Sequence, residues 1–412
     1  MWLWLIGFSY AGFRFAEKDA IFRFKQGCVK VLDIRSTQKK VWLLSGALIA
    51  AACLLLAGPF GLVCLVFLYV ARRVPVGIDW ASKHGISQSN GSRLGGAAVA
   101  ASILFWIALE RYAGEMLGFT GRVTIPMVLF AAAVFALPIA LVGLADDLTQ
   151  GLHAYLRLAL FCILAGIGFV LAPELMPQGV LNQVIGFENY WLLLFFSSFC
   201  LVGFINAGNM VDGANGLLSV IAASFFYFCF WVTEQNIYQM ITLALLVFSL
   251  VNLVTGKVML GDFGAYGLSA LMMLTAFAVY QSHHVSIFLF ASLLCYPCIE
   301  IISIIVRRLV QGQSPFLSDN QHCHNLLYGA FSETLPPIPA NSMTGLVIAL
   351  ISVLPAWCLL ELGWNAQSDA FLASFLIQSA LYLIGTYVLL RRVGKLKNND
   401  ELTDAVNEMS QS

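Results

Sequence analysis

Residues 189–216 read NYWLLLFFSSFCLVGFINAGNMVDGANG, an apolar run of about membrane-spanning length that ends in a dense group of amides, glycines and one carboxylate. A helix needs about 20 apolar residues to cross the hydrocarbon core of a bilayer. The same pattern, an apolar run followed by a short polar island, recurs along the chain. It predicts an all-α polytopic membrane protein with its chemistry at the ends of its helices.

Composition supports the same fold class. Of the 412 residues, 60% are hydrophobic and 11% are charged, whereas soluble domains carry about 25% charged residues. The formal net charge is zero, so nothing indicates a nucleic-acid partner. Most of the cysteines lie inside apolar runs, which is typical of small buried hydrophobic residues rather than of a disulfide framework.

Eleven apolar runs predict transmembrane helices. They cover about 45–71, 95–111, 124–144, 155–173, 189–206, 215–233, 237–254, 265–281, 285–306, 344–363 and 370–390. We therefore predict a transmembrane domain over residues 42–392. A basic segment, 1–41, precedes it, and a polar tail, 393–412, follows it.

Counting crossings predicts the orientation. The loops after the odd-numbered runs, together with the C-terminal tail, hold most of the lysines and arginines that follow the basic segment. The positive-inside rule places these loops in the cytoplasm. The basic stretch from Arg14 to Lys40 disagrees, because the same count puts it outside. Every polar island follows an odd-numbered run, so all of them are expected on one face of the membrane.

The first acidic island is Asp146-Asp147, at the end of the third run. Two adjacent carboxylates need a cation or a proton nearby. The pair is either a metal-linked or proton-accepting group at a phosphate site, or a solvated helix end. Arg157, at the entry of the next run, could face the same site and bind phosphate.

The densest island begins at Asn206. Asn206, Asn209 and Asp212 are spaced by three and would share one face of a helical turn. Oxygen ligands on one face suit a hard cation such as Mg²⁺, although an Asn/Gly-rich turn between two spans is the simpler alternative. Asp262 begins the eighth run, where it is either a third acidic group at the same site or a helix N-cap.

Three further groups complete the candidates. His322 and His324 lie in a long loop, and they could contact phosphate or orient a substrate. A structural zinc site has four ligands, and no further convincing ligands lie near the two histidines in the sequence. Glu300 lies within the ninth run without a local partner, which indicates a buried polar contact. The first loop, with Asp79 and the pair Lys83-His84, either holds an anionic substrate or is a solvated loop.

In this order, the islands resemble the motifs of the polyprenyl-phosphate N-acetylhexosamine-1-phosphate transferases (glycosyl transferase family 4). The similarity covers about residues 72–392. The matching motifs are Asp79, Lys83-His84, Gly95-Gly96, Asp146-Asp147, Gly151-Leu152, Arg157-Leu158, Asn206 to Gly213, Gly261 to Gly264, and His322 to His324. Three positions depart from the family pattern, namely Ala265, Asn215 and Asn325.

The resemblance implies a reaction, and every role below is carried by it alone. The family transfers a sugar phosphate from a UDP-N-acetylhexosamine to undecaprenyl phosphate with Mg²⁺, or Mn²⁺ in its place. The metal ligands would be Asn209 and Asp262, and the catalytic acids would be Asp146, Asp147 and Asp212. The substrate contacts would be Asp79, Lys83, His84, Arg157, Asn206, Asn215, His322 and His324. The expected setting is the bacterial inner membrane, with a cytoplasmic active site and a homodimer as one possible assembly.

Two alternatives stand beside this prediction. One is an activity like that of the phospho-MurNAc-pentapeptide transferases, from the same family. The other, from a different class, is a secondary transporter whose acids bind coupling ions. Transporters place such groups near the membrane midplane in inverted repeats. Here the acids lie at the ends of runs and no repeat is detected, which favours an enzyme.

Overall fold

The computed structural model describes the chain in six stretches. They are residues 34–79, 91–117, 123–283, 285–314, 321–364 and 368–411. The chain divides into two compact units, 1–55 and 56–412. All the site residues discussed below belong to the second unit.

The regular secondary structure of the described stretches is helical, apart from one pair of two-residue strands and one 3₁₀ turn. The helices are α1 Ile34–Arg73, α2 Gly95–Leu117, α3 Met127–Thr149, α4 Ala154–Leu171, α5 Val180–Ile185, α6 Tyr190–Val211, α7 Leu217–Thr233, α8 Asn236–Thr255, α9 Gly261–His283, α10 Ile287–Leu293, α11 Cys295–Val310, α12 Cys323–Ser332, α13 Pro337–Glu361 and α14 Ser368–Gln411. Strands β1 Ile78–Asp79 and β2 Gly91–Ser92 pair antiparallel.

The predicted all-α membrane architecture is confirmed. Within the described stretches, nine helices are long and apolar enough to cross a membrane, and the bent pair α10–α11 makes ten if it counts as one span. The remaining predicted run lies on α7, an apolar helix of 17 residues. Each of the eleven runs thus lies on helix, while the number of crossings and the side that the loops occupy stay predictions.

Among the described helices, α3 and α9 form the most extensive contact, and small residues allow it. A Cβ added at Gly143 of α3 would overlap the backbone carbonyl of Asp262, and one added at Gly267 of α9 would lie 2.7 Å from the Cβ of Ala140. Membrane helices associate through such close backbone contacts because lipid offers no hydrophobic drive for helix–helix association. The C-terminus of α3 therefore lies directly beside the N-terminus of α9.

A short parallel backbone pairing brings the start of α2 to the same place. The amide of Met259 donates to the carbonyl of Ser92 at 2.8 Å, and the amide of Gly96 donates to the carbonyl of Leu260 at 2.8 Å. A Cβ at Gly96 would overlap the Cα of Gly264, so the first turns of α2 and α9 touch. The end of the first loop is thus held beside the acidic groups.

The ninth predicted run, 285–306, is not one straight helix. Helices α10 and α11 meet at Leu294 with a bend of 78°. Pro297 lies in the first turn of α11, and a proline removes one helical hydrogen bond and clashes with the preceding turn. The amide of Tyr296, freed at the bend, donates to Ser352 Oγ at 3.3 Å. An apolar run reports length rather than direction, so hydropathy alone did not predict the bend.

The α3–α9 contact predicts a specific sensitivity to volume. Gly143→Ala should force the two helices apart and lower stability by about 1–3 kcal/mol, because overpacked contacts must be relieved by backbone shifts. Thermal unfolding of the purified protein in detergent measures the effect. Gly166→Ala on α4 is the matched control, since a Cβ there has nothing within 4 Å. Equal unfolding midpoints for the two variants would contradict the packing argument.

Candidate active site

Asp147 lies at the centre of the site and is fully buried. Its Oδ1 accepts a hydrogen bond from the amide of Asp262 at 2.9 Å, and its Oδ2 accepts one from the amide of Phe263 at 2.9 Å. These are two of the backbone donors that a helix N-terminus leaves without partners, and a carboxylate is favoured there by the helix dipole. Asp147 therefore caps α9 from another helix and fixes the backbone of Asp262.

Gly261 allows this cap to form. Its φ is +75°, a conformation that side-chain-bearing residues rarely adopt. A Cβ there would overlap the carbonyl of Arg93 and lie 2.8 Å from Asp147 Oδ2. Only glycine lets the chain enter α9 between Arg93 and Asp147, which gives the Gly-Asp pair of the sequence a steric reason.

Asp146 and Asp262 share one cation. Arg157 Nη1 forms a short ion pair with Asp146 Oδ2 and lies 3.8 Å from Asp262 Oδ2. Asp146 Oδ1 also accepts from the amide of Leu152 at 3.1 Å. Arg157, placed by the sequence at the entry of α4, thus faces the acidic pair as predicted. The side chains of Arg157 and Asp262 are partly accessible to a ligand, whereas Asp146 is buried.

Asp212 follows the last turn of α6, and its amide donates to the carbonyl of Gly208 at 3.0 Å. Its pKa is raised well above the usual range, first by burial and then by the negative charges of Asp262 and Asp147, while the positive charge of Arg93 opposes the shift. A Cβ added at Gly208 would overlap Ser269 Oγ and lie 3.6 Å from the carbonyl oxygen of Ala265, so the last turns of α6 pack against the first turns of α9. The second acidic island therefore converges with the first and the third.

Arg93 ends the basic first loop, which the sequence predicted could hold an anionic substrate, but it was not among the named candidate site residues. Its charge acts on Asp147, Asp212 and Asp262, and its amide donates to the carbonyl of Gly77 at 2.8 Å. The signal was present in the sequence, because a single arginine stands two residues before the Gly95-Gly96 motif. It was not selected because nothing local connects it to acids more than fifty residues away.

The asparagines of the densest island have different surroundings. Asn206 Nδ2 donates to the carbonyl of Val202, one turn earlier in α6. Asn215 donates two hydrogen bonds. Its backbone N–H donates to Asn341 Oδ1 at 2.7 Å, and its side-chain Nδ2 donates to Ser342 Oγ at 3.2 Å. These bonds tie the island to the second turn of α13. Asn209 lies on the last turn of α6. The roles of all three in binding stay predictions.

The histidines approach the same island from the other side. His322 precedes α12 and His324 lies in its first turn; their rings stack at 5.2 Å with an interplanar angle of 20°. A Cβ added at Gly213 would lie 2.5 Å from His324 Nε2. The segment that carries Asp212 and the histidine pair are therefore in contact, which joins the fourth island to the other three.

A buried glutamate completes the histidine group. Glu300 Oε1 lies 3.1 Å from His322 Nδ1. In the described part of the chain, Glu300, His322 and His324 are the one set of three His, Cys, Asp or Glu residues whose candidate ligand atoms all lie within 4.8 Å of one another. In the sequence, His322 and His324 lie close together without a third potential zinc ligand nearby. The structure supplies the third from α11.

Three predicted residues of the first loop stay untested. Lys83 and His84 lie outside the described residues. Asp79 is described only in its backbone, where it pairs with Gly91. Their predicted contacts with an anionic substrate remain predictions.

Comparisons with known proteins agree with the motifs. The family model for glycosyl transferase family 4 matches residues 127–282. An undecaprenyl-phosphate alpha-N-acetylglucosaminyl 1-phosphate transferase of Salmonella typhi is 25% identical over 325 residues, which is 72% of this chain and 84% of the relative. The protein of the same name from Escherichia coli K12 is 26% identical over the same shares. The one from Thermotoga maritima is 29% identical over 194 residues, 47% of this chain and 60% of the relative.

The capping role of Asp147 predicts a loss of stability as well as of activity. In Asp147→Asn, one of the two oxygens becomes an NH₂ group that faces a backbone N–H, so one helix cap is lost at a cost of about 1–3 kcal/mol. The thermal unfolding midpoint in detergent measures this loss. Asp369→Asn, at an exposed acid in the first turn of α14, is the matched control. The capping role would be refuted by an Asp147→Asn midpoint as high as that of the control.

His324 predicts a pH dependence of stability. Burial lowers its pKa from 6.5 to about 4. Between pH 6.5 and 4, the unfolded chain binds a proton that the folded protein does not. The free energy of unfolding therefore falls as the pH falls through this window, and above pH 6.5 His324 causes no such loss. The shift corresponds to on the order of 3 kcal/mol. His324→Gln should flatten the decline of the unfolding midpoint between pH 7 and 4.5.

The non-titrating neighbour provides the control for this measurement. Asn325→Gln should retain the wild-type decline over the same pH range. A decline in His324→Gln as steep as in the wild type would show that another group causes the acid sensitivity.

Proposed function

We propose, on the confirmed resemblance to glycosyl transferase family 4, that this protein transfers N-acetylhexosamine-1-phosphate from a UDP-sugar to undecaprenyl phosphate and releases UMP. N-acetylglucosamine is the sugar we favour, and the product would initiate a cell-surface polysaccharide. One observation carries the proposal: four acids and two arginines from separate segments converge at one end of the α3–α9 pair. The relatives' printed name describes the same class of transfer in those proteins.

The charges at the site suit phosphoryl transfer, which needs mainly positioning and charge stabilisation. Arg157 lies between Asp146 and Asp262, so its guanidinium has a defined position before a substrate arrives. Arginine binds phosphate oxygens in a fixed planar geometry. We assign Arg157 to a phosphate of the lipid or of the nucleotide, and we add Arg93 as a second cation for the diphosphate.

The position of α4 supports a lipid acceptor. Arg157 lies in the first turn of this helix, and apolar side chains farther along α4, among them Ile163, Ile167 and Val170, are more than half exposed. Such a surface suits the hydrocarbon of a bilayer. A guanidinium at the end of a lipid-facing helix is placed at headgroup level, where the phosphate of a polyprenyl phosphate would be found. We propose that this end faces the cytoplasm of a bacterial inner membrane.

The donor set fits Mg²⁺. Asp262 and Asn209 offer oxygen ligands, whereas both oxygens of Asp147 already accept backbone amides. Within the described residues, no three acids lie within mutual ligand distance of one another. This arrangement suits Mg²⁺, which is commonly held by one or two carboxylates and completed by substrate phosphates and water. When bound, Mg²⁺ would offset negative charge on the diphosphate and on the departing UMP.

In the proposed reaction, each site residue has a separate role. A phosphate oxygen of the lipid forms a bond to the β-phosphorus of the UDP-sugar, and the bond from that phosphorus to the bridging oxygen breaks, so that UMP leaves. Asp146 accepts or holds the proton of the lipid phosphate. Asp147 and Asp212 shape the site, and His322 and His324 contact the phosphate or the sugar. Direct attack and a covalent aspartyl intermediate both lead to this product.

The two alternatives differ from the proposal in the sugar that the protein accepts or in the position of its acidic groups. A phospho-MurNAc-pentapeptide transferase would share the chemistry and differ in the sugar that it accepts. A transporter would bind its coupling ions near the membrane midplane. The acids here lie at helix ends, at the C-termini of α3 and α6 and at the N-terminus of α9. This placement favours the transferase.

The proposal predicts Mg²⁺-dependent release of UMP from UDP-GlcNAc when undecaprenyl phosphate is present in detergent. EDTA should abolish the release. Asp262→Asn should lower the rate by at least about 100-fold, because it removes a charged group from the transition state, while the protein keeps a wild-type unfolding midpoint within a few degrees. Asp369→Asn should keep full activity as the control.

A panel of UDP-sugars resolves the substrate in the same assay. Release from UDP-MurNAc-pentapeptide alone would favour the first alternative. Full UMP release by Asp262→Asn would remove the metal assignment. No release from any UDP-sugar, together with ion-coupled uptake in proteoliposomes, would replace the transferase proposal by the transporter.

A further inference from the structure

Glu300 carries a buried carboxylate that the assigned roles of the site residues do not include. It lies on α11 and is fully buried in a segment that the sequence places in the membrane. An ionisable group there is costly, and such groups are usually functional. Three donors satisfy it: His322 Nδ1 at 3.1 Å and the amide of Cys323 at 3.2 Å contact Oε1, and the hydroxyl of Tyr382 donates to Oε2 at 2.7 Å.

These contacts determine which nitrogen of His322 carries hydrogen. An ionised carboxylate can only accept hydrogen bonds, so His322 must present Nδ1–H to Glu300. The neutral ring then has its lone pair on Nε2. A carboxylate that fixes the tautomer and orientation of a functional histidine in this way is a recurrent arrangement in enzymes and metal sites.

The second histidine is held from the same helix. The hydroxyl of Tyr296 lies 3.0 Å from His324 Nδ1, and Tyr296 and Glu300 are four residues apart on one face of α11. Because the two rings are nearly parallel and both Nδ1 atoms meet α11, both Nε2 edges point away from that helix. His324 Nε2 approaches Gly213, which locates the Nε2 edges toward the segment that carries Asp212.

We propose that Glu300 is a positioning residue for the transfer reaction, acting through His322, which it holds with Nε2 directed at the substrate. The proposal rests on the proposed function. It differs from a zinc site, although the same three side chains lie within ligand distance, because the three protein donors already satisfy the carboxylate. Hydrogen bonds alone account for the geometry.

Two substitutions separate positioning from structure. Glu300→Gln keeps the shape but offers both a donor and an acceptor, so the tautomer of His322 is no longer fixed. Tyr382→Phe removes a hydrogen bond from the same carboxylate and leaves the His322 contact in place. In the UMP-release assay on the full chain, Glu300→Gln should lower kcat at least about tenfold with little change in KM for UDP-GlcNAc. Tyr382→Phe should stay within about threefold of the wild type.

A double-mutant cycle tests whether the effect passes through His322. If it does, adding Glu300→Gln to His322→Gln should lower kcat by less than about twofold more. Glu333→Gln, at the exposed end of α12, is the carboxylate-to-amide control and should match the wild type. Multiplicative losses in the double variant would overturn the proposal, as would equal losses in Glu300→Gln and Tyr382→Phe.

Two further results would overturn it. Zinc bound to the purified wild-type protein in a 1:1 ratio, and lost in Glu300→Gln, would make the group a metal site. A wild-type protein without UMP release would remove the proposed function and this inference together. An active wild-type protein with an unchanged kcat in Glu300→Gln would remove the inference alone.

Discussion

The carboxylate of Asp147 bonds two backbone amides at the start of α9, and the arrangement of the other acids depends on these two bonds. A helix N-terminus buried in a membrane protein needs acceptors for its free amides. Asp147 supplies them from α3, which locks the end of one helix to the beginning of another. Asp262 is then held where Arg157 can reach both it and Asp146. One structural requirement thus places the charged groups that the chemistry needs.

The cap forms because the backbones of α2 and α3 can approach the backbone of α9 closely. Gly143 allows α3 to touch the carbonyl of Asp262, and Gly96 allows α2 to touch Gly264. The pairing of Ser92 with Met259 adds the first loop to the same place and brings Arg93 within electrostatic range of the acids. Gly96 and Gly264, which belong to the family motifs, are therefore packing positions. They decide how close the charged side chains come.

The bend between α10 and α11 organises the other half of the site. It directs Tyr296 and Glu300 toward the histidines, and it is itself satisfied by a polar network, in which the side chain of Ser352 accepts from the amide of Tyr296 and its carbonyl accepts from Gln378. In both halves a buried carboxylate is bonded by donors from other segments, Asp147 by the first amides of α9 and Glu300 by Tyr382 and the amide of Cys323. The partners are distant because local ones are already used within the helices.

The sequence by itself determined the membrane class, the position of each apolar run on helix, and the islands that converge. Apolar length and the absence of charge are local properties, and a bilayer enforces them segment by segment. Only the tertiary structure decided that Asp147 caps α9, that Arg93 joins the acids, and that Glu300 meets His322. These pairings link distant residues, and the two hydrogen bonds of the α9 cap alone join residues 115 and 116 positions apart. They depend on bend angles and close backbone contacts, which hydropathy does not encode.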